Sequence, residues 1–368
     1  MDAPDRAQAS FILTRLFIKV SLCLISGHLS ANSAPTDINA SNLSIAENSA
    51  IGTVIGEFNA TDPDGDNNIT YSLVPPLPSD LNLSLWLDAS DASTITETNG
   101  SVSQWADKSG NGNHAVQENE ARKPTFGSIT LDGKTVINFD GSSDFLDSPN
   151  LSISQPYTFA IVAKTNNNST GRDFLFDQSG SGGGRSIIAM DFNGKIQLWA
   201  NSWGNTNFST PFDFFVLSAV FNSSDSSLSL NGNNVANLNP GTSSLNGGVR
   251  IGAHQNTADF LKGSIAEFLI FNENLNSSAR ASVEAYIAHK WGLGANLPSS
   301  HPFKNGSSLF DLDANGTLTT NQTFDYETDD RNYPITVRAT DDHNISFDKN
   351  FTITVTNVVE DLDGDGTE

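Results

Sequence analysis

The 368-residue chain has one cysteine, Cys23, and only 19 Lys+Arg against 42 Asp+Glu. A single thiol cannot build a disulfide framework, so stability has to come from packed cores or bound ions. The cation deficit leaves a net charge of −23. It provides no basic patch to meet phosphates, which excludes nucleic acid as a partner. No stretch reaches the roughly 18 apolar residues of a membrane span, so no transmembrane segment is expected. None of the six His residues lies in a nucleophile motif.

What is abundant points to β-structure. The chain holds 29 Gly, is rich in Ser, Asn and Thr, and its 9% aromatic content is enough for real cores. That composition suits about two β-rich domains. In Phe351–Thr356 apolar residues alternate with Thr, and Tyr333, Ile335, Val337 and Ala339 alternate with Pro334, Thr336 and Arg338. Ile69, Tyr71 and Leu73 repeat the pattern, which marks half-buried antiparallel strands. At the N-terminus, Arg15 and Lys19 precede a short apolar run over 20–27, and small residues over 30–34 precede Pro35. This is the order of a secretory signal peptide, so residues 1–34 are expected to be a leader and the protein to be secreted or displayed at the cell surface.

Charge divides the chain unevenly. Residues 34–80 and 305–368 together carry 21 acids against 3 cations, whereas residues 81–304 carry 19 against 13. The outer segments therefore share a balance of −18 that the middle, at −6, lacks. Self-repulsion at that density weakens a compact state unless a cation neutralises it; a solvated acidic surface is the alternative.

The two acidic segments, IAEN…ATDPDGD…ITYSL and LFDLDANGTLTT…FDYETD…YPITVRATD…FTITVTNV, resemble the opening and closing halves of a cadherin repeat, a calcium-binding β-sandwich of adhesion proteins. Neither half is long enough to bury a core alone. The resemblance implies one sandwich written as 35–80 and 305–360, with everything between inserted into it, and 361–368 as an acidic linker or the start of a calcium repeat. It also implies calcium ligands: Glu47 in IAEN, Asp325 and Glu327 in FDYE, and Asp62 and Asp64, with Asp66, in ATDPDGD. The linker departs from the family pattern, and its carboxylates are Glu360 and Asp361. Calcium takes six to eight oxygens, and carboxylates at alternate loop positions converge on one ion; an ordinary acidic turn has the same composition. The loop 311–316 opens like an EF-hand but places Gln322 where a bidentate Glu belongs, so a β-hairpin turn is expected there.

Residues 81–304 resemble the concanavalin A-like lectin/glucanase superfamily in its laminin G-like branch. The resemblance rests on LSLWLDASD, VSQWADKSGNGNHA, VINFDGSSDFL, YTFAIVAK, IGAHQNTADFLKGSIAEFLIFNENL and VEAYIAHKWGLGANLPSSHPF. The fold class that follows is all-β: a cadherin-like (immunoglobulin-like) β-sandwich interrupted by a concanavalin A-like jelly-roll β-sandwich with one short edge helix. Val283, Tyr286, Ile287 and Trp291 give that helix its 3.6-residue face, between Ser278 and Gly292.

Glycan-cleaving relatives of this fold carry a Glu-x-Asp-x-Glu pattern, absent here, so the insert is expected to be non-catalytic. Trp203 and Trp199 are candidates for stacking on a sugar face, with core packing as the alternative. Asp107 with Asn111, and Asp144 with Asp140, are candidate rim sites beside an ordinary turn reading. Trp86, Trp105 and Trp291 read as core. Two functions follow: a secreted, calcium-dependent adhesion or carbohydrate-recognition module binding a glycan or cell-surface protein, with neighbouring repeats in a longer chain; or an accessory binding segment of a secreted polysaccharide-degrading enzyme.

Overall fold

The computed structural model describes residues 32–65, 68–166, 171–179 and 185–358. The expected leader over 1–31 and the candidate ligands Asp66, Glu360 and Asp361 lie outside the described residues.

Strands from both acidic segments build two four-stranded sheets. One runs Asp37–Ala40, Val54–Thr61, Thr317–Thr320, Phe310–Leu312, and the other Ser44–Ala46, Ser346–Thr356, Asn332–Thr340, Thr70–Val74. Pairing crosses the intervening segment three times: Glu57 faces Thr317, Ser44 lies parallel beside Thr354, and Leu73 faces Val337. The alternation seen in the sequence turns Ile335, Val337, Ile353 and Val355 inward onto Ile38, Phe58, Leu73 and Leu318. The 311–316 loop closes a hairpin, with Asp313 accepting from the backbone N–H of Asn315 and Thr317.

The middle segment forms two further sheets. The first runs Asn233–Leu238, Ser226–Leu230, Phe215–Phe221, Tyr157–Thr165, Lys262–Phe271, with Leu83–Asp88 and Lys134–Asp140 sharing the far edge of Lys262–Phe271. The second runs from Trp203–Ser209 through Lys195–Trp199, Ile187–Met190, Asp173–Ser179, Gly248–Ile251 and Leu146–Asn150 to Ala115–Val116. Thr125–Leu131 bonds to strands of both sheets and closes them along one side. Between the sheets, Phe159, Phe176 and Phe268 meet at ring distances of 4.9–5.9 Å.

The helix, Ser277–Lys290, is capped by the Asn276 side chain, which accepts from Ala279 N–H. It does not sit at a sandwich edge. Tyr157–Thr165 and Phe215–Phe221 are apolar at consecutive positions and buried on both faces, so the outer side of that sheet needs a cover. The helix supplies it, with Val283, Ala285, Ile287 and Ala288 buried. Arg280 reaches Ser227, Glu284 reaches Ser218 and Tyr286 reaches Glu267, one anchor on each of three strands.

Residues from several of the quoted motifs meet under this helix. Glu267, fully buried, accepts from Trp86 Nε1 (2.7 Å), Trp291 Nε1 (2.6 Å), the Tyr286 hydroxyl (2.8 Å) and Lys290 Nζ (2.9 Å). Lys290 also contacts Asp88, which pairs with Lys108. A buried carboxylate persists only when its oxygens are satisfied in this way. LSLWLD, DKSG, AEFLIF and AYIAHKW are thus parts of one polar hub. Trp105 and Trp291 are fully buried as expected, and Trp86 is half-buried.

The two domains touch through the helix C-terminus. Gly292 ends the helix at φ +70°, and a Cβ there would lie 2.7 Å from Cγ of Asp132, so only glycine lets the 131–134 turn approach. Asp132 in turn meets Arg338 of the outer domain at 2.9 Å.

Candidate functional sites

At one end of the outer sandwich Glu47, Asp325 and Glu327 gather, their ligand oxygens within 4.8 Å of one another. Glu47 is almost fully buried. It accepts from the backbone N–H of Val358 (2.6 Å) and Tyr326 (2.8 Å), which hold its carboxyl below the usual range. Asp325 accepts from Glu327 and Thr328 N–H. Asn357 donates to Glu327. Desolvation, then the charges of Glu47 and Asp325, push Glu327 up. Three crowded carboxylates from two distant segments form an all-oxygen donor set suited to a hard cation.

Asp62 and Asp64 lie toward the opposite end, past Thr61, where Thr70 pairs with Thr340. Asp62 Oδ1 accepts from Asp64 N–H, while its Oδ2 is shielded from solvent and has no hydrogen-bond partner among the described residues. Asp341, Asp342 and His343 form a second cluster of potential ligands. It was not anticipated, because a DDH turn carries no distinctive spacing.

The rim candidates in the insert behave as loop clamps. Asp107 Oδ1 accepts from Trp86 and Ser109 N–H, and its Oδ2 from Ser109 Oγ and Asn113 N–H. Asn111 Nδ2 donates to the Leu83 carbonyl. Asp140 and Asp144 are bound to each other's backbone N–H. Burial and the neighbouring Asp140 charge push Asp144 up to about 6. Against its own desolvation, hydrogen bonds from Ser142, Ser143 and Asp144 hold Asp140 at about 2.

The outer face of the second sheet is different. Trp203 and Trp199 face each other across adjacent strands. Trp199 packs on a small apolar ledge of Phe174, Ile187 and Ala189, separate from the main core, and Arg185 covers it at 5.5 Å. Trp203 stays 36% exposed and Phe192 52%. Arg172 sits 5.0 Å from the Trp203 ring and 5.4 Å from that of Phe192. Beside them Arg185 binds both oxygens of the buried Asp177 and contacts His254 at 2.7 Å. Further along the face, Arg250 pairs with Asp147 and covers Phe145 at 4.1 Å. Burial lowers the His254 pKa, with Asp177 opposing. Exposed aromatics beside pre-oriented polar groups form a surface for a ligand with one apolar and one polar aspect.

Residues 140–279 match the family model of the concanavalin A-like lectin/glucanases superfamily. The matched stretch lies within the middle domain. No curated protein matches the chain. Among solved structures, Trypanosoma rangeli sialidase in complex with the inhibitor DANA is similar at 15% identity and TM-score 0.42, over 57% of this chain and 33% of that one. Domain 4 of AbnA, a GH43 extracellular arabinanase from Geobacillus stearothermophilus, in complex with arabinotriose, is similar at 16% identity and TM-score 0.40, over 56% of this chain and 98% of that one. The chain spans about a third of the length of the sialidase. No helix among the described residues is long and apolar enough to cross a membrane.

Proposed function

We propose that this chain is a non-catalytic carbohydrate-recognition module. Its concanavalin A-like domain binds a glycan on the Trp203 face, and a calcium-stabilised, cadherin-like outer sandwich carries that domain outside the cell. The observation that carries the reading is the half-open Trp203 ring beside Phe192 and Arg172. Sugars present a C–H face to an aromatic plane and hydroxyls to fixed polar partners, and the Arg185–Asp177–His254 set provides such partners. Support for a non-catalytic role comes from the insert's two buried glutamates. Glu267 and Glu284 are both committed to anchoring the helix, and Asp177 and Asp147 on the outer face of the second sheet are each engaged by an arginine.

The calcium part rests on the donor set of Glu47, Asp325 and Glu327 and on the unpartnered Oδ2 of Asp62. Bound calcium would take the carboxylates that now repel one another. Export and adhesion are supported by the sequence order of the leader and by the cadherin resemblance.

A glycan array probed with the full chain and with Trp203→Ala tests the reading. Binding to a defined set of oligosaccharides is expected, with at least a tenfold loss in the variant, in line with one lost stacking contact of about 1.5 kcal/mol. No glycan bound by the native chain, or binding unchanged in Trp203→Ala, would overturn it.

A further inference from the structure

Arg172 differs from the other guanidiniums of this face. Arg185 is paired with Asp177 and Arg250 with Asp147, whereas Arg172 forms no ion pair among the described residues. Its Nε is shielded from solvent and has no hydrogen-bond partner there. The guanidinium is held between two half-open aromatic rings, with no carboxylate at ion-pair distance among the described residues. On its other side Arg172 lines a cavity of about 190 Å³ with Gly141, Phe260 and Lys262 and with the carboxylates of Asp173 and Asp259. Lys262 is exposed and likewise forms no ion pair among the described residues. An Arg fork left unpaired beside a ligand surface is preorganised for bidentate contact with a planar anion.

Resting on the glycan reading above, we propose that the Trp203 face selects a carboxylate-bearing saccharide, with Arg172 receiving the carboxylate and Trp203 and Phe192 flanking it. The ligand is a sugar acid, with one carboxylate per ring, rather than a densely sulfated polyanion. The overall negative charge opposes the approach of a polyanion, while a single carboxylate reaches Arg172 at contact distance, where screening by salt is weaker.

Isothermal titration of the full chain with trigalacturonate and trimannuronate, each against its carboxyl-reduced neutral trisaccharide, tests this. At least one acid is expected to bind about tenfold more tightly than its neutral counterpart. Arg172→Gln should erase that ratio, and Arg172→Lys should restore part of it. Trp203→Ala should weaken acid and neutral sugar together. Thermal melts of the variants provide the folding control, and Lys262→Gln, in the lining of the same cavity, should reduce the ratio by a smaller factor. If neutral sugars bind with Trp203 dependence but no acid is preferred, or the ratio survives Arg172→Gln, this inference fails and the glycan reading stands. If no saccharide binds, both fail.

Discussion

Arg338 and Asp132, 206 positions apart, meet at 2.9 Å across the junction of the two domains. The same guanidinium takes both oxygens of Asp348 on the neighbouring strand, at 2.7 and 2.8 Å, and donates to the His289 carbonyl near the helix C-terminus. Arg338 is 3% exposed, so one side chain satisfies acids of both domains and a backbone carbonyl of the helix. The contact ties the helix-bearing middle domain to the outer sheet.

Replacing Arg338 by Met leaves Asp132 and Asp348 without their shared cation. Removing one partner of a buried ion pair costs about 3 kcal/mol. Denaturant unfolding followed by intrinsic fluorescence should show the outer domain destabilised by that order, with the Trp-containing middle domain changed much less. Equal loss in both domains, or none, would mean that the junction does not transmit as described.

Calcium should act on the outer domain alone. An ion that binds only the folded state stabilises it by about 2.7 kcal/mol at a hundredfold excess over its Kd. Calorimetric melts in chelator and in calcium are expected to show one transition moving up and the other holding still. Asp325→Asn with Glu327→Gln should abolish most of the movement. A profile indifferent to calcium would reduce Glu47, Asp325 and Glu327 to a solvated acidic end.

The Asp140–Asp144 pair gives a pH signature. Asp144 is raised from 3.8 to about 6, so the folded state holds its proton more tightly, and that stabilisation is lost as pH rises from about 4 through 6. Asp140, lowered to about 2, contributes stability above about pH 4 that is lost as pH falls toward 2. The middle domain's stability from this pair should therefore peak near pH 4. Asp144→Asn should flatten the decline between pH 4 and 6 and stabilise the domain at pH 7. Carboxyl ¹³C NMR titration checks both midpoints directly.

Glu267→Ala should be among the most damaging changes in the middle domain. It leaves Lys290 without one of its two carboxylate partners and two indole N–H groups without their acceptor at a buried position, at a cost of about 4 kcal/mol. Loss of near-UV circular dichroism from Trp86 and Trp291, with lower resistance to denaturant, is the expected readout. A mild effect would show that the hub repacks.

Much of this was legible in the chain. Period-2 alternation marked the strands of Asn332–Thr340 and Ser346–Thr356, because a strand with one wet face imposes that period. The resemblance to a cadherin repeat named Glu47, Asp325 and Glu327, although Glu47 and Asp325 are 278 positions apart. Asn276 was missed as the helix cap because Ser277 and Ser278 beside it carry equally good capping side chains. The helix was placed at an edge because its own periodicity shows which face is apolar and not what that face covers.

Local chemistry in the sequence therefore determined which segments become strands, which turns carry acids, and that no cysteine framework or basic surface is available. The tertiary structure decided what depends on pairing between distant segments. Arg338 stands at an outward position of its strand and reads as solvent-facing, yet it is buried because another domain rests there. Glu267 reads as a charge in an apolar strand, yet it is the hub that the helix and two tryptophans close upon. Trp199 and Trp203 are both stacking candidates in the sequence, with core packing the stronger reading for Trp199, and the apolar ledge beneath Trp199 and the partial exposure of Trp203 are what the tertiary structure adds. The reason is physical: burial and charge pairing are set by which surfaces meet in space, and a local pattern cannot specify its partner.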